Sequence, residues 1–451
     1  MPLSVPAKDW HTHIHEIIRQ HQIHTVRVCI QDNSNIALSR YVPTRHFLEH
    51  ITQTGLSFPS AIFSLDTSAT LQPAAGDGFA GGFPSWFVKP DIETFSILPY
   101  NSGICRVIAD LYDQEGKIIE SSPRQVLRRV LEEYARSGYR IKGAFEYEFY
   151  VFHKSAEGDL KPVWEGLHCF SEVKQAEVED IIHTVVKALS DISAGPEVAN
   201  TEYGSGQFEV SHSPFWGIQI ADMAFYYRAS IKESLARQGY LATFMSKPLE
   251  TMSGSGAHLH HSLFDAEGNN LFFDPNQEDG LSDLCRWFIG GQLKHAKALC
   301  CLVNSTINSY KRIQPYSFAP TEVSWGYEHR SAMIRIPHAR GDQTRLENRL
   351  PGADTNPYIA LAATLAAGLD GIRNRTEPPR PLRGDDGYSG THPSLPRSLW
   401  ESLQTVKEDP WVSDSFHERF LHQFLTLRQS ELNRYLRHVS SWEINEYLDV
   451  I

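Results

Sequence analysis

Residues 143–152 read GAFEYEFYVF and set Glu146 and Glu148 among Phe145, Tyr147, Phe149, Tyr150, Val151 and Phe152. The aromatic and β-branched content predicts a strand, and a strand sends residues two apart to the same face. Both carboxylates then point the same way. Two like charges side by side in a partly dry place repel, so one takes up a proton or a cation settles between them. Taken alone, the pair also fits the solvated face of a half-buried strand. The rest of the chain decides between these readings.

At 451 residues the chain exceeds one ordinary core, and two or three domains are expected. Its 41% hydrophobic and 21% charged residues suit a globular protein in water. A formal net charge of -12 argues against a nucleic-acid partner or an anionic membrane surface and favours small substrates. The N-terminus lacks a basic start followed by an apolar run, and no uninterrupted apolar stretch is long enough to span a bilayer, so a cytoplasmic location is expected. Six cysteines without a C-x-x-C predict buried, reduced thiols rather than a disulfide framework or a zinc site.

Residues 9–22 read as a helix, followed by the strand-like TVRVCIQD. The tract QPAAGDGFAGGFPSWFVKPD is too rich in Gly and Pro for long regular elements, while Phe79, Phe83, Trp86 and Phe87 supply bulk. At SSPRQVLRRVLEEYARSGY the pattern changes. Ser122 is a candidate cap, Pro123 fits the first turn and Gly138 follows the last apolar position. A boundary near residue 115 divides a small N-terminal domain (1–115) from a larger one (116–451). In the latter, helices at 123–137, 175–193, 218–238, 281–299 and 356–372 alternate with short strands, as in an α/β or α+β catalytic domain. Residues 374–397 read as a surface loop, and the tail from about 410 as charged helix.

Other segments repeat the opening theme. NTEYGSGQFEV holds Glu202 and Glu209 around glycines that let the backbone arch, and SGSGAHLHHSLFD holds His258 and His260 two apart. TRLENRLP sets Arg345, Glu347 and Arg349 at i, i+2 and i+4, one face of a strand. Arg312, Arg330 and Arg335 stand in otherwise apolar settings. Carboxylates and imidazole without thiolate suit magnesium or manganese, and arginines beside such ions suit phosphoryl transfer, where catalysis is positioning and electrostatics. Neither a Walker A motif nor a kinase glycine loop with H-R-D is present, so a different nucleotide site is required.

The ordered run of SPRQVLRRVLEEYARSGY, GAFEYEF, TEYGSGQFEV, GSGAHLHHSL, NSYKRIQP, RSAMIRIP and RLENRLPGADTNPYIALAATLAAGLDGI resembles the glutamine synthetase family. The resemblance implies an α+β protein with a small N-terminal β-grasp-like domain and a large catalytic domain. It also implies a homo-oligomer of stacked rings, a dodecamer, with sites between subunits. By position, Glu148, Glu202 and Glu209 would hold one divalent ion and Glu146, His258 and Glu347 a second, with two or three Mg or Mn ions per site. Arg312, Arg349 and Gly254 would hold glutamate. His260, Ser262, Arg335 and Arg345 would contact ATP, with Arg330 over the transferring phosphoryl group. The implied chemistry has two steps: the γ-carboxylate attacks ATP, and a nitrogen nucleophile displaces phosphate from the resulting acyl phosphate.

The chain departs from that pattern where ammonia would bind. The family's P-G-Y-E-A-P segment is here PYSFAP, so Phe318 stands in place of the acid, with Tyr316 beside it as a second candidate for an amine pocket. The D-G-S-S run is absent, and Asp66 in SLDTSAT is the candidate amine-site acid. An alkylamine resembles lysine, so only about one molecule in two thousand is neutral at pH 7. Either Asp66 deprotonates the amine, or the amine is weakly basic. The expectation is an ATP-dependent glutamate:amine ligase of amine catabolism that takes an alkyl or aryl monoamine, with polyamines a further option. The alternatives are an ammonia-using glutamine synthetase and a non-catalytic structural homologue.

Overall fold

The computed structural model describes residues 10–98, 100–101, 103–154, 159–384 and 386–451, without the side chains of 10–13. The N-terminal strands form a six-stranded sheet in the order Ala37–Pro43, Thr25–Gln31, Ile104–Tyr112, Ser85–Pro90 and Leu56–Pro59, with Ser96–Ile97 also paired to Ile104–Tyr112. Thr25–Gln31 and Ile104–Tyr112 run parallel, whereas Ile104–Tyr112 meets Ser85–Pro90 antiparallel. Val26, Val28, Ile30, Phe47, Val88, Val107 and Leu111 close a small separate core around them.

A ten-stranded sheet organises the rest, in the order Trp325–Tyr327, Ile334–Ile336, Leu346–Asn348, Ala257–Phe264, Arg140–Lys154, Gln207–His212 and Pro196–Thr201; three short strands add to Arg140–Lys154. Most pairings are antiparallel, which makes the fold α+β. Arg140–Lys154 is the central strand. From 141 to 149 its odd residues are buried and its even ones half-buried. The odd face packs on helices: Tyr147 stacks on Tyr227 of helix Gln219–Ala236 at 5.5 Å between ring centroids. The even face carries Glu146 and Glu148 away from them.

Five helices expected from the sequence appear, at Trp10–Gln20, Pro123–Arg136, Gln219–Ala236, Pro357–Asn374 and, in the tail, Glu418–Arg437. Two others break. The segment expected at 175–193 is Glu172–Glu177 and Glu179–Asp191, interrupted at Val178, and that at 281–299 is Asp283–Lys294 and Ala296–Val303. His295 makes the second break because Asp370 and Asp409 hold its ring at 2.9 and 2.8 Å. Ser122 occupies the N-cap of Pro123–Arg136 but its side chain makes no capping bond. Asn356, by contrast, accepts from the backbone N–H groups of Tyr358 and Ile359. Five of the six cysteines are buried, but Cys169 is exposed. Among the described residues no helix is long and apolar enough to cross a membrane.

Buried arginines tie the N-terminal strands to the rest of the chain: Arg106 donates to Ser230 at 2.6 Å, and Arg124 reaches both sides. Arg124, 4% exposed, donates to Asp222 at 2.9 Å on the catalytic side and to Asp91 and Asp110 at 2.7 and 2.8 Å on the N-terminal side. Removing one partner of such a set leaves uncompensated buried charge, typically a loss of about 3–5 kcal/mol. Arg124→Ala is expected to lower unfolding free energy by that order in urea titrations. A loss within error of zero would mean the three carboxylates find other partners.

Candidate active site

Strand register brings the acids together. Glu148 lies opposite Glu209, Glu146 opposite His258, His260 opposite Glu347, and Glu347 opposite Arg335. Directly opposed residues share a face, so these side chains form one continuous patch on the side away from the helices. His258 Nδ1 lies 3.6 Å from both Glu146 and Glu347, and His260 Nε2 lies 3.3 Å from Glu146. Arg345 donates to His260 Nδ1 at 3.2 Å, which leaves the Nε2 proton facing Glu146.

Two sets of three donors come within 4.8 Å of one another: Glu146, His260 and Glu347, and Glu146, Glu209 and His258. This differs from the division expected from the sequence. His260, expected at ATP, joins the acids. Glu148 instead accepts the Gly256 N–H at 2.7 Å, and Glu202 accepts from Asn200 at 3.1 Å. The expected trio of Glu148, Glu202 and Glu209 is not one of these two sets, although Glu148 and Glu202 both act on the Glu209 carboxyl.

The electrostatics describe a site with surplus negative charge. Burial and the neighbouring Glu146, Glu148, Glu202 and Glu347 push the Glu209 carboxyl up to about 10; burial and Glu148 push Glu202 up to about 7. Burial raises Glu148 too, opposed by Arg312 and the Gly256 N–H. Glu146 and Glu347 are the exceptions. Burial opposes ionisation of Glu146, but the His258 and His260 rings hold its carboxyl well below the ordinary value. Glu347 is held low as well. Burial works against its charge, but Arg349, both histidines and Arg335 outweigh it and hold the carboxyl at about 2. Burial and Arg349 lower His258 to about 4, so its ring is neutral and fit to donate a lone pair. Oxygen and imidazole donors around uncompensated charge fit a hard divalent cation.

The arginines surround this patch. Arg335 donates to Glu347 at 2.6 Å and to Glu328 at 3.1 Å, and Arg349 donates to the other Glu347 oxygen. Both are thus committed to a carboxylate rather than free for substrate. Buried Arg312 donates to the carbonyls of Leu350 and Arg349, each at 3.1 Å. Gly254 lies on its stem, where a Cβ would come 2.6 Å from Arg312 Cγ, so this position has no room for a side chain. Arg330 is exposed. Ser262 is buried and donates to the Thr344 carbonyl at 2.5 Å, which occupies its hydroxyl proton.

A cleft of about 530 Å³ opens beside the acids, lined by Glu146, His260, Ser262, Arg345, Lys142 and Glu197 among others. Lys142 was not singled out from the sequence, nor was Gln207, whose amide donates to the Gly254 carbonyl at 3.0 Å. Both were within reach of the period-two rule, since Lys142 precedes Glu146 by four and Gln207 precedes Glu209 by two.

The oxygens of Asp66 accept from Ser68, Thr70 and Gln72, and Arg434 Nε stands 3.3 Å away on the helix Glu418–Arg437. Burial opposes its charge, but these donors hold the carboxyl below its ordinary value. These bonds fix the turn and its junction with that helix. Tyr316 and Phe318 are 76% and 65% exposed, both with left-handed backbone (φ 60 and 59). The Phe318 carbonyl lies 3.5 Å from Arg349 Nη2, which puts that loop at the arginine end of the patch.

An α+β fold whose mixed sheet presents half-buried carboxylates and imidazoles beside several arginines fits a metal-assisted, anion-handling enzyme class. The chain belongs to the glutamine synthetase family: the profile described as glutamine synthetase, catalytic domain, matches residues 120–447. Members of this family are ATP-dependent carbon–nitrogen ligases, and so is this enzyme. The chain is 31% identical over 450 residues to glutamate--isopropylamine ligase of a Pseudomonas species, covering 97% of this chain and 98% of the relative. It is 30% identical to gamma-glutamylethanolamide synthetase GlnA4 of Streptomyces coelicolor, covering 96% and 94%. The glutamine synthetase of Thermotoga maritima is 39% identical, over 80% of this chain and 85% of that one. A solved structure described as a GmaS/ADP complex superposes with TM-score 0.86 at 28% identity, covering 96% of this chain and 99% of that one.

The raised carboxyls set a pH dependence. Their folded values lie above the ordinary value of 4.5, so their contribution to stability is full below that value and is lost as pH rises through about 7 for Glu202 and about 10 for Glu209. Chelator-treated protein is expected to lose melting temperature steadily from pH 6 to pH 9. Glu209→Gln should flatten that slope, and manganese should restore the loss. An unchanged slope in the variant would contradict the electrostatic account.

Proposed function

We propose that this enzyme joins the γ-carboxylate of glutamate to an organic amine, driven by ATP, through γ-glutamyl phosphate. The γ-oxygen attacks the terminal phosphorus of ATP and ADP leaves. The amine nitrogen then forms the C–N bond, phosphate departs with the electron pair of the broken C–O bond, and the amine gives up a proton. Glu146, Glu148, Glu202, Glu209, His258 and Glu347 would hold two or three Mg or Mn ions, which when bound neutralise the phosphate oxygens. Arg312, Arg349 and the Gly254 backbone would hold glutamate, and His260, Ser262, Arg335 and Arg345 would line the nucleotide. Arg330 would screen charge on the moving phosphoryl group. For Arg335 and Arg349 to act on substrate, each must exchange its Glu347 oxygen for a substrate oxygen. A cytoplasmic dodecamer with sites completed between subunits belongs to the same reading.

The observation that carries the choice of an organic amine is Phe318: its carbonyl sits at Arg349 while its side chain brings an aromatic ring, not a carboxylate, to that loop. An apolar ring favours an organic substituent and offers ammonium no counter-charge. The near full-length match to two amine ligases supports the same choice. Asp66 remains the candidate amine-site acid, and a carboxyl held low by its donors would suit a monoamine of reduced basicity. The greater identity to the Thermotoga enzyme over a shorter span supports the alternative, ammonia.

The test offers purified enzyme with glutamate, ATP and manganese to a panel of alkyl and aryl monoamines, diamines and ammonium, following ADP and the amide by mass. At least one monoamine is expected to exceed ammonium in kcat/KM by ten-fold or more, on the order of one well-packed substituent. Phe318→Glu should narrow that ratio. Ammonium as the preferred substrate would overturn the proposal, as would the absence of ADP with every nitrogen compound.

A further inference from the structure

The loop at residues 386–395 is built into the arginine end of the site. Glu322, buried, clamps it: one carboxylate oxygen accepts the Gly390 N–H at 2.6 Å and the other the His392 N–H at 3.2 Å. Backbone bonds from Val323 N–H to the Pro393 carbonyl and from Leu395 N–H to the Thr321 carbonyl, 2.8 and 2.9 Å, continue the seam. On the other side Gly387 packs so closely that a Cβ would meet Ser331 Oγ at 2.2 Å, next in sequence to Arg330. A segment fixed on both sides holds its side chains in place rather than sweeping through solvent.

What it holds there is Tyr388. Its hydroxyl donates to the Ala319 carbonyl at 3.1 Å, and its ring meets that of Tyr316 at 5.1 Å between centroids. Asp386 secures the pair, accepting from the Tyr388 N–H at 2.9 Å and from the Tyr316 hydroxyl at 3.4 Å. The phenol stands in the field of Arg349 and Arg312 and beside the Phe318 backbone. Tyr316 and Phe318 keep left-handed backbone, a conformation bulky residues hold only where surroundings impose it, often at binding sites.

We propose that Tyr388 is a specificity-determining wall of the amine pocket, held by the Glu322 clamp and facing Tyr316 and Phe318, so that it sets the size of the amine accepted. This rests on the ligase reading above. An aromatic wall gains apolar contact with an amine substituent, and its π face attracts any fraction that arrives protonated. It lies on a loop far in sequence from the other pocket residues, so variation in that loop would retune amine choice without touching the acids.

The test is a size series from methylamine through isopropylamine to cyclohexylamine and aniline, run with wild type, Tyr388→Ala, Tyr388→Phe and Tyr388→Trp. Tyr388→Ala is expected to raise KM for small amines about ten-fold and to shift the ranking toward larger ones. Tyr388→Phe, which keeps the ring, should retain the wild-type ranking, and Tyr388→Trp should disfavour the largest amines. If Tyr388→Ala does not fold, the Tyr388→Trp shift decides. A ranking identical to wild type in the Ala and Trp variants, with all amines slowed alike, overturns the assignment and leaves the ligase reading standing. A wild type that couples no amine sinks the ligase reading itself.

Discussion

Crowding Glu146, Glu148, Glu202 and Glu209 onto one half-buried patch is the constraint from which the rest of the site follows. In water neighbouring carboxylates repel weakly, but in a partly dry sheet face Glu148, Glu202 and Glu209 resist ionisation while their neighbours are charged, and Glu146 keeps its charge against His258 and His260. The raised Glu202 and Glu209 carboxyls express that conflict, and Glu347, which has two arginines, escapes it. Protons relieve the conflict in part; a divalent cation relieves it fully. Arginines alone could have done so as well, yet Arg335 and Arg349 are spent on Glu347 and Arg312 on backbone carbonyls.

The central strand separates stability from chemistry by its pleat. Its odd residues, Phe145, Tyr147 and Phe149, join the main core, where Tyr227 and Phe244 pack on them. Its even residues carry the acids. A hydrophobic face on rigid helices holds the charged face to a fixed geometry against its own repulsion, and a slip of one residue in register would bury the glutamates among aromatics. Close glycine contacts extend the same logic, since Gly254 and Gly256 bring backbone against Arg312 and His258 where any Cβ would intrude.

Much of this was legible along the chain because a two-residue period is a local property. GAFEYEFYVF announced its own faces, and AHLHHSL and RLENR did likewise, so the acids' orientation could be read directly, while the choice of α+β over α/β came from the family resemblance. Pairing between strands is not local. Nothing in the sequence states that His260 faces Glu347, and the grouping of donors changed for that reason. Helices broke where long-range partners intervened, as Asp370 and Asp409 did at His295. The donors that Asp66 meets on the C-terminal helix lie more than three hundred residues away, out of reach of any local pattern. Tyr388, whose partner Ala319 lies 69 residues away, was hidden inside a stretch whose Gly, Pro and Asp content reads as plain surface loop.

The central claim, that this patch is a cation site, is tested most directly by manganese anomalous diffraction from crystals grown with glutamate and an ATP analogue. The account predicts two or three peaks bounded by Glu146, Glu148, Glu202, Glu209, His258 and Glu347. Ordered ligands with no anomalous peak among those six side chains would contradict it.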